Sequence, residues 1–484
     1  MNIIGREKEI NELLRAYQSK KAEFVAIYGR RRVGKTFLVN EVFKNRISFS
    51  HTGLPPFDDD KENEDNNLLK EQLEHFIQSL NDYGFTPQKS INNWLDAFCA
   101  LKEFINGLNQ KNKIVLFFDE LPWMDTPRSN FIRELSYFWN SWLSKRDNIL
   151  LIVCGSSASW MTNNIINGFG GLYDRITMEI RLSPLSLNEC NLFINRNKTI
   201  LSSYDIVQTY MIFGGIPYYL EKINSNLSLS ENIDNLFYKK GAILRNEFNR
   251  LFKSCFKNPE RMKEIVSFLS TKSIGFSRDE IIKKLNLESG GNITEMIAAL
   301  MASDFIISYI PLGHSKREIL YKLIDPFCIF YLKFVKDATF LDKDFWSNNI
   351  TSPKINSWRG YAFENVCLNH IKQIKFALGI SGVISEESVF YLKGVDDKPG
   401  AQIDLLINRN DDVIDICEAK FYKGLYTHNK DKHLSLMHRE DIIYEMLQKK
   451  KTIRHVLITT YGLVQNEYSN DYNYVVTIED LLRF

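Results

Sequence analysis

The sequence predicts an α/β fold, a parallel sheet flanked by helices, and three stretches carry that prediction. Residues 24–36, FVAIYGRRRVGKT, lead from an apolar segment through a glycine turn into the amphipathic run FLVNEVF. Residues 113–120, KIVLFFDE, contain an apolar run closed by two carboxylates. Residues 148–157, NILLIVCGSS, form another apolar run, closed by small polar residues. Short apolar runs set between helical patterns read as strands buried on both faces, as parallel sheets require.

Composition sets the outer bounds. A chain of 484 residues should hold about three domains. With 44% hydrophobic and 25% charged residues, each can bury a core. A net charge of +2 excludes a global basic field, so any nucleic-acid contact must come from local patches. The segment MNIIGREKEI lacks the apolar centre of a signal peptide, and IVLFF and ILLIVC are too short to span a bilayer. A cytoplasmic protein with no membrane partner is expected. The seven cysteines are scattered without a C-x-x-C pair, which reads as free thiols in a reducing compartment. His428, His433 and His438 recur every five residues, a spacing that stacks no zinc ligands on one helical face.

Taken in order, residues 6–20 place Ile10, Leu13, Leu14 and Tyr17 on one face, so a first helix is expected. Gly29 to Thr36 then spell G-x-x-x-x-G-K-T between strand and helix, the context of a phosphate-binding loop. Backbone N–H groups from Gly29 through Arg30, Arg31, Arg32, Val33 and Gly34 would cradle phosphate oxygens at a positive helix N-terminus. Lys35 would reach the β- and γ-phosphates of ATP, and the Thr36 hydroxyl would hold Mg²⁺. Residues 47–52 alternate as a second strand, and the acidic stretch 55–67 reads as a surface loop. Residues 68–80 and 91–108 have helical periodicity. The strand ending at Asp119 and Glu120 delivers both carboxylates to the sheet edge where ligands bind. Asp119 would bind Mg²⁺ through water and Glu120 would polarise the attacking water. The run 148–157 ends in Ser156 and Ser157, residues 176–182 form a fifth strand after Arg175, and residues 184–222 turn helical around FGGIPYYL.

The strings YGRRRVGKT, DELPW, CGSSASWM, GLYDR, RLSPLS and FGGIPYYL, in this order, resemble the AAA+/STAND-related P-loop ATPases described mainly from archaea and also found in bacteria. The resemblance implies an AAA+/ASCE core of five parallel strands over residues 1–183 and a helical lid over 184–257. It further implies that Ile4, Gly5 and Arg6 pack on adenine, that Ser156 or Ser157 senses the γ-phosphate, and that Pro217 breaks a helix near the nucleotide. Arg175 stands where this family places an arginine finger acting on a neighbouring subunit, which would imply a homo-oligomer. An ordinary surface arginine there would look the same.

Residues 258–335 carry three helical patterns, 261–270, 277–285 and 292–302, then strands 305–310 and 319–324 around a turn. Three helices and a hairpin predict a winged helix-turn-helix. Its third helix would expose Asn292, Thr294, Glu295 and Ala299 and no basic residue, a poor match to phosphate-dominated DNA binding. His314, Lys316 and Arg317 form the basic cluster of the wing. DNA contact and an interdomain role both fit.

Residues 336–484 place Glu364 on a helix, Asp404 at the start of a strand, and Glu418 and Lys420 on the next strand. Positions i and i+2 share a strand face, so these groups can converge. Asp404, Glu418 and the Ala419 carbonyl would bind Mg²⁺ while Lys420 positions or deprotonates water. The pattern resembles the PD-(D/E)XK nuclease fold, with Ile403 replacing the eponymous proline and Glu364 as the additional acidic ligand. ATPases of this type often carry a C-terminal DUF234 domain related to such nucleases, and DNA is the implied partner. The basic residues Lys420, Lys423, Lys430, Lys432 and Arg439 would form a rim around the site. A charged hairpin with an E-x-K ion pair, in a module that binds a partner without cutting, is the alternative.

Overall fold

The computed structural model describes residues 3–55, 65–108, 112–168, 171–172, 174–196, 201–256, 258–288, 290–315, 317–339, 342–392, 394, 400–448 and 450–484. Residues 1–183 with 254–256 form one compact unit, and residues 184–253 with 257–484 form a second.

The first unit is built on five strands: β1 (Glu23–Tyr28), β2 (Ile47–Thr52), β3 (Ile114–Asp119), β4 (Ile149–Gly155) and β5 (Met178–Arg181). All pairs are parallel, in the order β2-β3-β4-β1-β5. Every residue of β1, β3 and β4 is buried, because helices cover both faces and no position can be polar without a partner. In register, Tyr28 pairs with Gly155 and Thr52 with Asp119. The strands therefore end together, and the loops that follow them share one edge.

Helices Asp65–Asp82 and Trp94–Gly107 correspond to the two periodic stretches, but residues 91–93 stay outside the second. The Asn93 side chain caps it by accepting from Asp96 N–H, which fixes the start at Trp94. Helix Phe131–Ser141, unanticipated from the sequence, buries Phe131, Leu135, Phe138 and Trp139. Phe138 stacks on Phe98 at a centroid distance of 5.1 Å. Most of the acidic stretch lies outside the described residues. Cys99 is exposed, whereas Cys154, Cys190, Cys255, Cys328, Cys367 and Cys417 are buried.

The second unit begins helically with Leu187–Asn195, Ser203–Phe213 and Pro217–Leu220. His370 ties this region to the C-terminal third: its Nδ1 bonds Val366 O at 2.7 Å, and its Nε2 accepts from Leu187 N–H at 2.9 Å. Helices Pro259–Leu269, Arg278–Leu285 and Gly291–Ala302 follow, the second opened by a capping box of Ser277 and Glu280. Strands β6 (Phe276–Ser277), β7 (Ile306–Tyr309) and β8 (Leu320–Leu323) make a small antiparallel sheet in the order β6-β8-β7. In helix Gly291–Ala302, Asn292, Thr294 and Glu295 are exposed as expected, but Ala299 is buried and Ala298 is exposed. The expected core face of Ile293, Met296, Ile297 and Leu300 is buried, so the difference is confined to the two neighbouring alanines. Of the basic cluster between β7 and β8, His314 and Arg317 are exposed, and Lys316 lies outside the described residues.

A mixed sheet closes the chain: β9 (Ser385–Leu392), β10 (Ala401–Arg409), β11 (Val413–Lys420), β12 (Thr452–Thr459) and β13 (Tyr474–Val476), in the order β13-β12-β11-β10-β9. The pairs β9–β10 and β10–β11 are antiparallel, while β11–β12 and β12–β13 are parallel. Helix Pro353–Asn369 carries Glu364. No helix among the described residues is long and apolar enough to cross a membrane.

Candidate functional site

At the shared edge of the parallel sheet, the loop after β1 has the backbone that its glycines permit. Gly29 has φ +147° and Gly34 has φ +96°. A Cβ on Gly29 would lie 2.2 Å from Leu182 O, so a side chain there collides with the strap after β5. Gly34 caps helix Lys35–Val42. Lys35 is buried, and its ammonium donates to Gly29 O and Arg30 O, each at 3.0 Å. The lysine thus folds back over its own loop. Val33 and Arg30 are buried, and the Arg31 guanidinium lies 5.7 Å from the centre of the Trp123 ring. Arg32 takes a left-handed φ of 73°.

Thr36 Oγ1 donates to Asp119 Oδ2 at 2.7 Å. Burial pushes the Asp119 carboxyl up, and the Thr36 hydrogen bond opposes that rise. A hydroxyl beside a carboxylate is an oxygen-only donor pair, which suits a hard divalent ion that keeps several waters. Mg²⁺ therefore fits these residues. The next residue, Glu120, adopts the left-handed conformation with φ 49°. That turn aims its carboxylate at Ser156, whose N–H donates to Glu120 Oε2 at 3.1 Å and whose hydroxyl also bonds the carboxylate. Ser156, one of the two serines expected to sense the γ-phosphate, is engaged by Glu120. The pairing is not anticipated from the sequence, where the polar ends of two apolar runs are its only trace.

Gly5 and Arg6 lie at the start of helix Glu7–Gln18, both with positive φ. The Arg6 guanidinium donates to Ser183 O at 2.6 Å, and Ile4 is half-buried. Arg175 is exposed. Pro217 opens the short helix Pro217–Leu220 of the second unit. There, a Cβ on Gly215 would sit 1.8 Å from Leu185 O.

The second cluster lies on the mixed sheet. Leu405 pairs with Cys417, and one more step along the two strands sets Asp404 opposite Glu418. Asp404 is the fourth residue of β10, not its first, because the strand begins at Ala401 and shifts register between Ile403 and Leu406. Asp404 Oδ2 accepts from Ala419 N–H at 3.0 Å. The Ala419 group that engages Asp404 is thus its N–H. Lys420 Nζ lies 3.0 Å from Glu418 Oε1, Arg439 Nη2 lies 3.2 Å from Oε2, and Tyr472 Oη donates to Oε2 at 2.7 Å. Burial opposes ionisation of Glu418, but Lys420 and Arg439 outweigh it and hold the carboxyl at about 2. Arg439 and Lys420 therefore point inward instead of forming a rim. Lys432 lies over the Tyr426 ring at 4.2 Å and donates to Thr427 O.

Glu364 and Asp404 share their pocket with Lys322 of β8, which is 1% exposed. Burial and the Asp404 charge push the Glu364 carboxyl upward, while Lys322 and Lys420 oppose the shift. Burial drives Lys322 down, against the pull of Glu364 and Asp404. In this arrangement the three carboxylates do not fit a divalent ion. Both Glu418 oxygens already have cationic or hydroxyl partners. Among the described residues, no group of three or more His, Cys, Asp and Glu side chains is gathered to hold a metal. Beyond Glu418, Tyr472 leads to His428 Nδ1 at 3.5 Å, and His428 and His433 both bond Asp471 Oδ2, at 2.9 and 2.7 Å.

Comparison with known proteins addresses the first cluster. Residues 3–223 match the family model described as an ATPase domain predominantly from Archaea. An uncharacterized protein of Methanocaldococcus jannaschii is 24% identical over 444 residues, 88% of this chain and 92% of the relative. An uncharacterized ATP-binding protein of the same organism is 40% identical over 43 residues, 9% of this chain and 73% of the relative. Among solved structures, the Walker-type ATPase of Pyrococcus abyssi aligns with a TM-score of 0.48 at 15% identity, covering 69% of this chain and 97% of that one. The ORC2 protein of Aeropyrum pernix, in ADPNP–ADP complexes, aligns with a TM-score of 0.40 at 11% identity, covering 72% and 96%.

Proposed function

We propose that the P-loop ATPase domain of residues 3–223 works as an ATP-hydrolysing switch for a DNA-acting, nuclease-like module in the C-terminal third. The observation that carries the ATPase half is the placement of Thr36, Asp119, Glu120 and Ser156 at one sheet edge. Lys35 leaves the carbonyls of Gly29 and Arg30 for phosphate oxygens, and the loop N–H groups replace it there. Thr36 and Asp119 would hold Mg²⁺, which would supply charge neutralisation on the phosphates. Glu120 orients and polarises the attacking water, while Ser156 fixes the carboxylate's direction. Arg175, exposed on the same unit, is available to a neighbouring copy as an arginine finger. Pro217 and its helix belong to the lid.

For the C-terminal half, support comes from the sharing of one sheet face by Asp404, Glu418 and Lys420, with Glu364 on the helix behind. Exposed Tyr422 and Tyr461 near the end of that face offer rings on which bases can stack. A second reading has a specific observation behind it. Because Lys420 and Arg439 neutralise Glu418, the module would bind a partner without cutting. Purified protein is incubated with plasmid and Mg²⁺, with and without ATP. Cutting that disappears in Asp404→Ala and Lys420→Ala supports the first reading. ATPase activity without cutting under any nucleotide condition supports the second. Lys35→Ala should abolish nucleotide binding, and wild-type turnover in that variant would sink the ATPase site as drawn.

A further inference from the structure

Helix Asp65–Asp82 carries a glutamine on the face that it buries against the parallel sheet. Phe76 and Leu80 of that face are fully buried. The Phe76 ring lies 5.6 Å from the Trp94 ring and stacks on Phe118 of β3 at 6.5 Å. These contacts fix the helix against the strands. Gln72, one turn before Phe76, is also buried, and a buried amide is costly unless its polar atoms find partners.

The partners lie on two different segments at the sheet edge. Gln72 Oε1 accepts from Leu54 N–H at 3.1 Å, while Nε2 donates to Leu54 O at 2.9 Å and to Trp123 O at 3.1 Å. Leu54 stands just past β2, and Trp123 just past β3. The backbones of the same segments are laced together: Gly53 N–H donates to Asp119 O at 3.0 Å, and Trp123 N–H donates to Glu120 O at 3.0 Å. A Cβ on Gly53 would lie 2.8 Å from Glu120 O, so the two segments run in contact. The turn held in this way is the one on which Glu120 takes its left-handed φ of 49°. An amide is suited to this place because it offers one acceptor and two donors on a single side chain. A carboxylate would face both carbonyls without a proton.

We propose that Gln72 is a positioning residue for ATP hydrolysis: by tying the turn after β3 to the segment after β2, it fixes the backbone from which the Glu120 carboxylate is aimed. The inference rests on the ATPase reading of this sheet edge. Ser156 holds the Glu120 side chain, whereas Gln72 acts on its main chain through Trp123. Helix Asp65–Asp82 thereby becomes part of the hydrolytic apparatus without touching nucleotide.

The test compares full-length parent, Gln72→Met, Glu120→Gln and the double variant, by steady-state ATPase kinetics and by binding of a fluorescent ATP analogue. Methionine keeps the length of the side chain and removes all three hydrogen bonds. Gln72→Met is expected to lower kcat by about tenfold with analogue affinity kept within about threefold. In the Glu120→Gln background the same change should lower the residual rate by less than about twofold, because two residues that act through one group are not additive. A wild-type kcat in Gln72→Met overturns the proposal. So does an equal loss in both backgrounds, or a loss of affinity as large as the loss of kcat, since either assigns Gln72 a purely structural role. Should Gln72→Met fail to fold, Gln72→Glu keeps the bond to Leu54 N–H and loses both donors, and it is read against the same outcomes. The failures are distinguishable. A reduced kcat in Glu120→Gln with a wild-type kcat in Gln72→Met removes the positioning role and keeps the ATPase reading. No hydrolysis by the parent, or a wild-type kcat in Glu120→Gln, removes both.

Discussion

Glu120 is held by Ser156 through both the backbone N–H and the hydroxyl of the serine. The two residues are 36 positions apart and meet only because β3 and β4 are adjacent and end together. Glu120→Gln should therefore leave ATP binding intact and lower kcat by about 100-fold or more, as expected for loss of a general base. Ser156→Ala, which frees the carboxylate to turn, should lower kcat by roughly tenfold, the equivalent of a charge-assisted hydrogen bond of about 1.5 kcal/mol. Steady-state ATPase kinetics check both. A Ser156→Ala enzyme with unchanged kcat would mean that the clamp is incidental.

The turn at Gly29 allows no side chain. Gly29→Ala must place a methyl group 2.2 Å from Leu182 O at φ +147°, so the loop or the strap has to shift. Backbone strain of this kind costs about 1–3 kcal/mol. The expected result is a lower melting temperature together with weaker binding of a fluorescent ATP analogue. Unaltered binding would show that the loop can re-form with a different turn.

His370 should make the second unit acid-sensitive. Burial lowers its pKa from the ordinary 6.5 to about 4, so the folded state holds it neutral while the unfolded chain protonates it. Stability from the neutral ring is fully present above about pH 6.5 and is lost as pH falls toward 4, to an extent of order 3 kcal/mol. Thermal melts of wild type and His370→Gln should converge across that window. Parallel curves between about pH 7 and 4 would assign the acid response to other groups.

Glu418 acts in a lower window. With its folded pKa held at about 2 against an ordinary 4.5, its contribution is present above about pH 4.5 and disappears as pH falls toward 2. At neutral pH, Glu418→Gln strands Lys420 and Arg439, and breaking a buried ion pair in this way costs about 3–5 kcal/mol. The gap between variant and wild type should shrink on acidification below about pH 4.5. A gap that stays constant down to about pH 2 would argue that packing, not charge, holds this corner together.

The sequence was most legible where chemistry and periodicity coincide. Gly34, Lys35 and Thr36 after an apolar run, and Asp119 and Glu120 after another, specify strand, edge and role at once. Buried strands joined by right-handed crossovers account for the parallel pairing, whereas the order β2-β3-β4-β1-β5 is seen only in the structure. Helix Phe131–Ser141 left a signal in the spacing of Leu135, Phe138 and Trp139, which lies between two louder motifs. Lys322 left none, because a lysine in a four-residue strand looks like an exposed edge residue until the hairpin is seen against the sheet. Ser156 and Glu120 were each legible alone, whereas their bond depends on strand adjacency. The swap of Ala298 for Ala299 on the exposed face of helix Gly291–Ala302 has a similar cause. Two neighbouring alanines carry no amphipathic information.

The distribution of thiols gives the native chain a single labelling position. Six cysteines are buried and only Cys99, on helix Trp94–Gly107, is exposed. Burial also raises the thiol pKa of Cys154, Cys367 and Cys417, which suppresses the reactive thiolate. A maleimide dye should therefore enter at one position without any cysteine being removed. Conversely, labelling beyond one equivalent after addition of nucleotide would time the opening of a core that is otherwise closed to solvent.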